Sequence, residues 1–363
     1  MAKTYKNLFE RVYEFSNLYD AFLKARKNKR YREDVLCFSS NLESNLTKIL
    51  KDIKDGTYRP GKYHRFNVYE PKKRRIHSLP FRDRIVQHAL NNVIEPVFEK
   101  IFIYDSYACR KDKGTHRGVL RLTHFLRSIE ERIGNKGKGR AYCFKGDITS
   151  YFPSVNQDIL RREIADKIKD RRLLALIDTI IFSHYTPNRP GYGLPVGNLT
   201  SQLFANVYLN KLDYFVKHEL KAHYYIRYVD DFVILDEDKK KLAFFKERIT
   251  KFLKKELELK LNRKSSIFPV KQGIDFLGYR IFRTHRLLRK SSIKRMKRRI
   301  KLAKENPEKI PDLRHSIISW LGHCRYANTF NLVRKIMNEI SALPGVEAES
   351  ICRRRIREVR DEE

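Results

Sequence analysis

One tryptophan, three methionines and five cysteines stand in a chain of 363 residues. The cysteines (Cys37, Cys109, Cys143, Cys324, Cys352) are odd in number, scattered, and include no CxxC pair. That excludes a zinc-ribbon type of site and a disulfide framework, and fits a reducing, cytoplasmic compartment. No run approaches the ~20 apolar residues that span a bilayer. The opening MAKTYKNLFERVYEF lacks a signal peptide's apolar stretch, so no membrane partner is expected. Internal repeats and long low-complexity segments are also missing. Acidic charge is scarce: 43 Asp and Glu face 78 Lys and Arg, a formal charge of +35. Between Asp275 and Glu305 no acid occurs, against twelve Lys or Arg.

What is present fits a folded, polyanion-binding protein. A hydrophobic content of 41% supports real cores, and the length implies two or three subdomains. Such an excess of positive charge attracts phosphate backbones. It gathers in KARKNKRYR (24–32), in 58–84, and in RLLRKSSIKRMKRRIKLAK (286–304). The last reads as a helix with an apolar stripe of Ile293, Met296, Ile300 and Leu302 and a basic remainder, against which nucleic acid is expected to lie. GNKGKG (134–139) precedes a strand, RAYCFKGDI (140–148), and so reads as a flexible turn; a phosphate loop follows a strand. Residues 198–220 carry Leu199, Leu203, Val207, Leu212, Phe215 and Val216 on one helical face. Residues 239–257 repeat the pattern with Leu242, Phe245, Ile249, Phe252 and Leu253. Helices alternating with short strands predict a sheet covered on one face by helices. The last twenty residues read as a charged tail helix without assigned chemistry.

YYIRYVDDFVILDED (224–238) sets two adjacent carboxylates, Asp230 and Asp231, between strand-forming runs, at a tight hairpin turn. Asp favours turns in its own right. A third acid, Asp147, ends the strand AYCFKGD, and two strands ending side by side would bring it against Asp230. Carboxylates from two strands, completed by phosphate oxygens, suit Mg²⁺. Two such ions ~3.5–4 Å apart would clamp a phosphoryl transfer. One would lower the pKa of a primer 3′-hydroxyl and the other neutralise the leaving pyrophosphate.

YVDD in a strand-turn-strand, with Asp147 followed five residues on by Phe152, resembles the palm of a reverse transcriptase. The resemblance runs over about residues 60–335 in ordered blocks. It implies an α+β right-hand polymerase fold: an N-terminal extension and fingers (1–118), a palm (119–282) with a fingers segment at about 157–190, and a helical basic thumb and tail (283–363). Asp147, Asp230 and Asp231 would be catalytic, and Asp147, Ile148, Asp230 and Asp231 the metal set for two Mg²⁺, with Mn²⁺ as substitute. EPKKRRIHSLPFRDRIVQHAL (70–90) resembles the fingers block, with Lys72 and Arg74 on triphosphate and Lys73 and Arg75 on the other strand face. SYACRKDKGTHRGV (106–119) would turn Arg110 to the nucleotide, and LNRKSS (261–266) would bring Lys264 near the triphosphate. Phe152 would be the steric gate against a ribose 2′-hydroxyl. GIDFLGYRIF (273–282) resembles the primer grip, with Phe276, Leu277, Gly278 and Tyr279. Arg289, Lys290, Lys294, Arg295, Lys297 and Arg298 would contact nucleic acid.

GLPVGNLTSQLFANVYLN (193–210) narrows the family. Where most reverse transcriptases carry Gln-Gly and Ser-Pro, this chain has Val196 before Gly197 and Gln202 after Ser201; the resemblance would put Val196, Gly197 and Gln202 beside the nucleotide. With THRLLRKSSIKRMKRR and SWLGHCRYANTFNL, the segment resembles reverse transcriptases of diversity-generating retroelements. Those enzymes copy a template-repeat RNA into cDNA with errors at template adenines, and work with a pentameric accessory variability protein. The resemblance implies template RNA, primer or cDNA, dNTPs and such a pentamer as partners. Val196 offers packing but no hydrogen bond where Gln would offer one, a loss of ~1 kcal/mol that could relax selectivity several-fold. The acidic IEER (129–132) is a candidate patch for the accessory protein. The length leaves no expected room for a nuclease domain. A retron or phage-defence reverse transcriptase, and a maturase-like RNA-binding factor, stay as alternatives. His116 and His323, as lone histidines, are expected to be structural.

Overall fold

The computed structural model describes residues 3–69, 73–135 and 139–341. Lys72, the middle of GNKGKG and the expected tail helix lie outside them. The helices are α1 (Phe9–Tyr13), α2 (Phe15–Arg26), α3 (Glu33–Ser40), α4 (Leu42–Lys54), α5 (Phe81–Glu99), α6 (Thr115–Asn135), α7 (Tyr151–Ser154), α8 (Gln157–Lys167), α9 (Arg171–Ile181), α10 (Leu199–Tyr214), α11 (Lys239–Glu256), α12 (Lys290–Glu305), α13 (Ile310–Cys324) and α14 (Phe330–Ser341). The strands are β1 (His64–Val68), β2 (Arg74–Ser78), β3 (Tyr142–Gly146), β4 (Tyr224–Tyr228), β5 (Asp231–Asp236), β6 (Ser266–Pro269), β7 (Ile274–Phe276), β8 (Tyr279–Ile281) and β9 (Arg286–Leu288). The architecture is α+β, with sheets of order β1-β2, β4-β5-β3-β6 and β7-β8-β9. The chain divides into two compact units: residues 1–114, 144–234 and 240–266, and residues 115–143, 235–239 and 267–363.

In the first unit the core gathers around α10. Leu203, Phe204, Ala205, Val207, Tyr208, Leu209 and Leu212 are all buried on it, so apolar residues cover about two thirds of its circumference, wider than the single face the sequence predicts and the mark of an interior helix. α11 follows a simpler rule: Leu242, Phe245, Ile249 and Leu253 are buried at one-face spacing, as the sequence predicts. β4 and β5 are buried almost end to end, the pattern of strands covered on both faces rather than alternating. Gly146 is required where β3 ends, because a Cβ there would lie 2.1 Å from the ring of Phe232.

β1 and β2 pair antiparallel from His64↔Ser78 to Val68↔Arg74. His64, Phe66 and Val68 therefore share a face with Arg74, Ile76 and Ser78, while Arg75 and His77 lie on the other with Arg65 and Asn67. In the second unit β7, β8 and β9 form an antiparallel meander. α12 buries Met296, Ile300 and Ala303. The expected stripe ended on Leu302, which is instead 39% exposed. Two residues on from Ile300 is about 200° round the helix, whereas Ala303 returns to the buried side.

Candidate active site

The sheet order makes β5 the neighbour of both β3 and β4. β4 and β5 are joined only by Val229 and Asp230, so Asp230 sits in the hairpin turn, Asp231 opens β5, and Asp147 directly follows β3. Burial pushes the Asp230 carboxyl up to about 6, and the charges of Asp147 and Asp231 push the same way. Its own backbone N–H and the Arg74 guanidinium pull it down. Two of the expected catalytic acids and Arg74 are thus within electrostatic reach of the third.

Each flanking carboxylate has a neighbour that sequence reasoning did not single out. Asn262 Nδ2 donates to Asp147 Oδ2 at 2.8 Å, and the Asp147 N–H donates to Ser265 Oγ at 3.1 Å. The Lys145 ammonium lies 3.6 Å from Asp231 Oδ1. Among the described residues, no three His, Cys, Asp or Glu side chains already form a metal-holding group. Asn262 and Ser265 belong to LNRKSS, a block legible in the sequence for its lysine. Lys264 itself is exposed in that turn, its N–H donating to Asn262 Oδ1 at 3.0 Å.

The Ile148 side chain is buried and has no donor atom, so only its backbone carbonyl could serve a metal. Phe152 is half-buried in α7, edge-on to Tyr151 at 5.7 Å between ring centroids. The Phe152 carbonyl accepts from the Leu194 N–H at 2.8 Å. The Val196 carbonyl accepts from the His77 N–H at 2.8 Å. Gly197 has φ +119°, and a Cβ there would fall 2.9 Å from Ile76 Cγ2 and 3.1 Å from the His77 carbonyl. Strand β2, which carries Arg74, therefore rests on the backbone of this segment, an approach that only glycine permits. Gln202 is exposed in the first turn of α10.

Arg110 departs from expectation. Its guanidinium donates to both oxygens of Glu99, at 2.6 Å for the shortest contact, and to the carbonyls of Ile103 and Ser106. With 6% of its side chain exposed, Arg110 pins its own loop instead of facing a nucleotide, because five fixed donors close to carbonyls are satisfied locally.

In the second unit, Phe276 and Tyr279 flank a two-residue turn in which Leu277 (φ +52°) and Gly278 (φ +90°) are both left-handed. Both aromatic side chains are fully buried, so of the expected primer grip only the Leu277–Gly278 turn reaches the surface. Tyr279 Oη meets His323 Nδ1 at 2.8 Å, and His116 stacks on Tyr326 at 3.9 Å, so both histidines have partners within the fold. On α12, Lys290, Lys294, Lys297 and Arg298 are exposed, whereas Arg289 and Arg295 are half-buried. Arg289 lies 3.7 Å from Asp275. The acidic IEER patch is less available than its sequence implied, since Glu130 pairs with Arg283 at 3.6 Å. Among the described residues no helix is long and apolar enough to cross a membrane.

Comparison with known proteins supplies the family. Residues 60–281 match the family model described as Reverse transcriptase (RNA-dependent DNA polymerase). Protein YkfC of Escherichia coli K12 is 29% identical over 279 residues, covering 65% of this chain and 71% of YkfC. The group II intron-encoded protein LtrA of Lactococcus lactis subsp. cremoris is 25% identical over 323 residues, covering 70% of this chain and 51% of LtrA. The chain thus spans about half the length of LtrA. The apo telomerase of Candida tropicalis, truncated from its C-terminal domain, aligns at a TM-score of 0.44 and 13% identity, over 63% of this chain and 56% of that one. With a matching model over most of its length and three acids at the ends of neighbouring strands, the chain belongs to the reverse transcriptase family of RNA-dependent DNA polymerases.

Proposed function

We propose that the protein is the reverse transcriptase of a diversity-generating retroelement, copying a template-repeat RNA into cDNA with errors concentrated at template adenines. The observation that carries this reading is the segment 193–210. Its Val196–Gly197 backbone supports strand β2 and Arg74, and its Val196 side chain stands where most of the family carries a hydrogen-bonding Gln. A positional hydrogen bond is worth ~1 kcal/mol, enough to loosen discrimination several-fold when lost.

The donor set fits a hard divalent cation. Asp147, Asp230 and Asp231 offer only oxygen, and a buried carboxyl raised by two like charges is relieved by a cation. With the Ile148 carbonyl, these residues would hold Mg²⁺, or Mn²⁺ in its place. Bound there as a pair, the ions would activate the primer 3′-hydroxyl and neutralise the leaving pyrophosphate. The chain's own residues do the rest. Arg74, on the exposed β1–β2 ribbon, would bring positive charge to the triphosphate together with Lys72. The Phe152 ring would fill the space of a ribose 2′-hydroxyl. Asn262 and Lys145 would keep the Asp147 and Asp231 carboxylates oriented. Template RNA and the growing cDNA would lie along α12, with a pentameric accessory protein as a further partner.

The test is primer extension on a defined RNA template with Mg²⁺ and four dNTPs, sequencing the products, with Asp230→Asn as control. Extension lost in that variant, with errors opposite adenine that Val196→Gln reduces, supports the whole reading. Accurate extension keeps the polymerase and rejects the retroelement assignment in favour of a retron or defence enzyme. Similarity to the nuclear intron maturases 1 and 2 of Arabidopsis thaliana favours a second reading, a maturase-like RNA-binding factor. Tight RNA binding without extension, even with added accessory protein, would select it.

A further inference from the structure

Val229, at the tip of the β4–β5 hairpin, has φ +54°. A β-branched residue takes that left-handed geometry only where its surroundings impose it. The group that holds it is Arg227, two residues earlier, whose Nη1 donates to the Val229 carbonyl at 2.9 Å. Turning the Val229–Asp230 peptide over would break this bond, immediately before the Asp230 side chain.

Arg227 is itself fixed from every side. Its Nε and Nη2 donate to the two oxygens of Asp213 at 2.7 and 2.5 Å, and both side chains are wholly buried. The Tyr225 hydroxyl donates to Asp213 Oδ1 at 2.7 Å. Asn206 Oδ1 accepts from Nη1 at 3.2 Å, while Asn206 Nδ2 donates to the Ala108 carbonyl at 2.8 Å. The Arg227 backbone bridges Asp105 and Tyr107 at 2.9 Å each. A buried ion pair gives little net stability over apolar side chains of equal volume, so stability alone does not account for this one. The donors left over from the pair are directed to Asn206 and to the turn that carries Asp230.

We propose that Arg227, oriented by Asp213, Tyr225 and Asn206, is a positioning residue for nucleotidyl transfer: it holds the Val229–Asp230 peptide in its left-handed turn and so aims the Asp230 carboxylate. The proposal rests on the polymerase reading above. Wild-type extension that is lost in Asp230→Asn establishes that reading independently.

Steady-state primer extension then compares wild type, Arg227→Lys and Arg227→Lys/Val229→Gly. Lysine cannot make the bidentate contact and reach the Val229 carbonyl together. Arg227→Lys is expected to lower kcat about 100-fold, the scale of an ångström's misplacement at a reaction centre, with dNTP KM changed by less than about 2-fold. Glycine takes positive φ without steric cost, so adding Val229→Gly should recover at least about 10-fold of the loss. A merely structural role for Arg227 would not be rescued this way. Wild-type kcat in Arg227→Lys, or no recovery in the double variant, overturns the proposal. Should Arg227→Lys fail to fold, Arg227→Met/Asp213→Leu replaces the pair with apolar side chains of similar size. The same kcat loss, again rescued by Val229→Gly, is expected of it, and an unrescued loss or wild-type kcat overturns the proposal.

Discussion

Asn262 holds Asp147 at two points: its Nδ2 donates to Oδ2 at 2.8 Å, and its backbone N–H donates to the Asp147 carbonyl at 2.7 Å. β3 ends at Gly146, so the backbone of Asp147 has left the ladder and needs partners elsewhere; the turn at 260–265 provides them. Asn262→Ala removes the side-chain contact and leaves the backbone one. We expect kcat in primer extension to fall about 10-fold while stability drops by only ~1 kcal/mol, the worth of one hydrogen bond. Denaturant melts run beside the kinetics check both halves, and an unchanged kcat would remove Asn262 from the site.

Phe152 is mounted on a firm base. The Tyr151 hydroxyl donates to the Ala205 carbonyl at 2.6 Å, and the Leu194 N–H holds the Phe152 carbonyl. Truncating the ring should therefore open space without moving the backbone. Phe152→Ala is expected to raise rNTP use relative to dNTP on the order of 100-fold, a size-exclusion effect expressed as a ratio of kcat/KM values. Unchanged sugar selectivity would return the ring to a packing role.

Three strand ends and two amphipathic helices were legible because their signals are local: apolar runs, one-face spacing, an acid at a strand's end. The partners of charged groups were not. The resemblance of its block puts Arg110 at the nucleotide, yet Glu99, eleven residues earlier, and two carbonyls satisfy it. Asp213 and Arg227 lie fourteen residues apart on a helix and a strand, so no periodicity links them. In LNRKSS the resemblance points to the lysine, while the neutral Asn262 and Ser265 are what touch Asp147. Leu302 misled by spacing alone, a one-position error that the 100° step of a helix turns into the opposite face.

Several histidines are held neutral by the fold. Burial, then the charges of Lys24 and Lys29, brings His88 down to about 4. Burial, then His77 and Arg65, does the same to His184; His77, His116 and His323 are lowered too, chiefly by burial. A group with a depressed folded-state pKa binds more protons in the unfolded chain, so stability rises with pH across the gap. The contribution is complete above about 6.5 and is lost as pH falls toward about 4. Asp230, raised to about 6, acts in the opposite sense over part of that range, so the histidine effect is isolated by substitution. Urea unfolding of wild type and His88→Gln between about pH 7 and pH 5 should give a shallower loss of stability in the variant. Parallel curves would mean that His88 titrates normally.

The basic helix α12 offers a test of nucleic-acid contact that does not depend on catalysis. Lys290, Lys294 and Lys297 are exposed at i, i+4 and i+7, one face of the helix, while Met296, Ile300 and Ala303 are buried. Lysines that neutralise phosphates release counterions, and each contact steepens the fall of log affinity with log salt by about 0.7 to 0.9. Lys294→Gln/Lys297→Gln should therefore flatten that slope by roughly 1.5 and weaken binding equally across template sequences, since phosphate contacts carry no sequence information. Because neither side chain is buried, the melting transition should not move. Fluorescence anisotropy of a labelled primer–template in a salt series measures the slope directly. A slope left unchanged would put the phosphate backbone somewhere other than along this helix, and a sequence-dependent loss would mean that the lysines meet bases rather than phosphates.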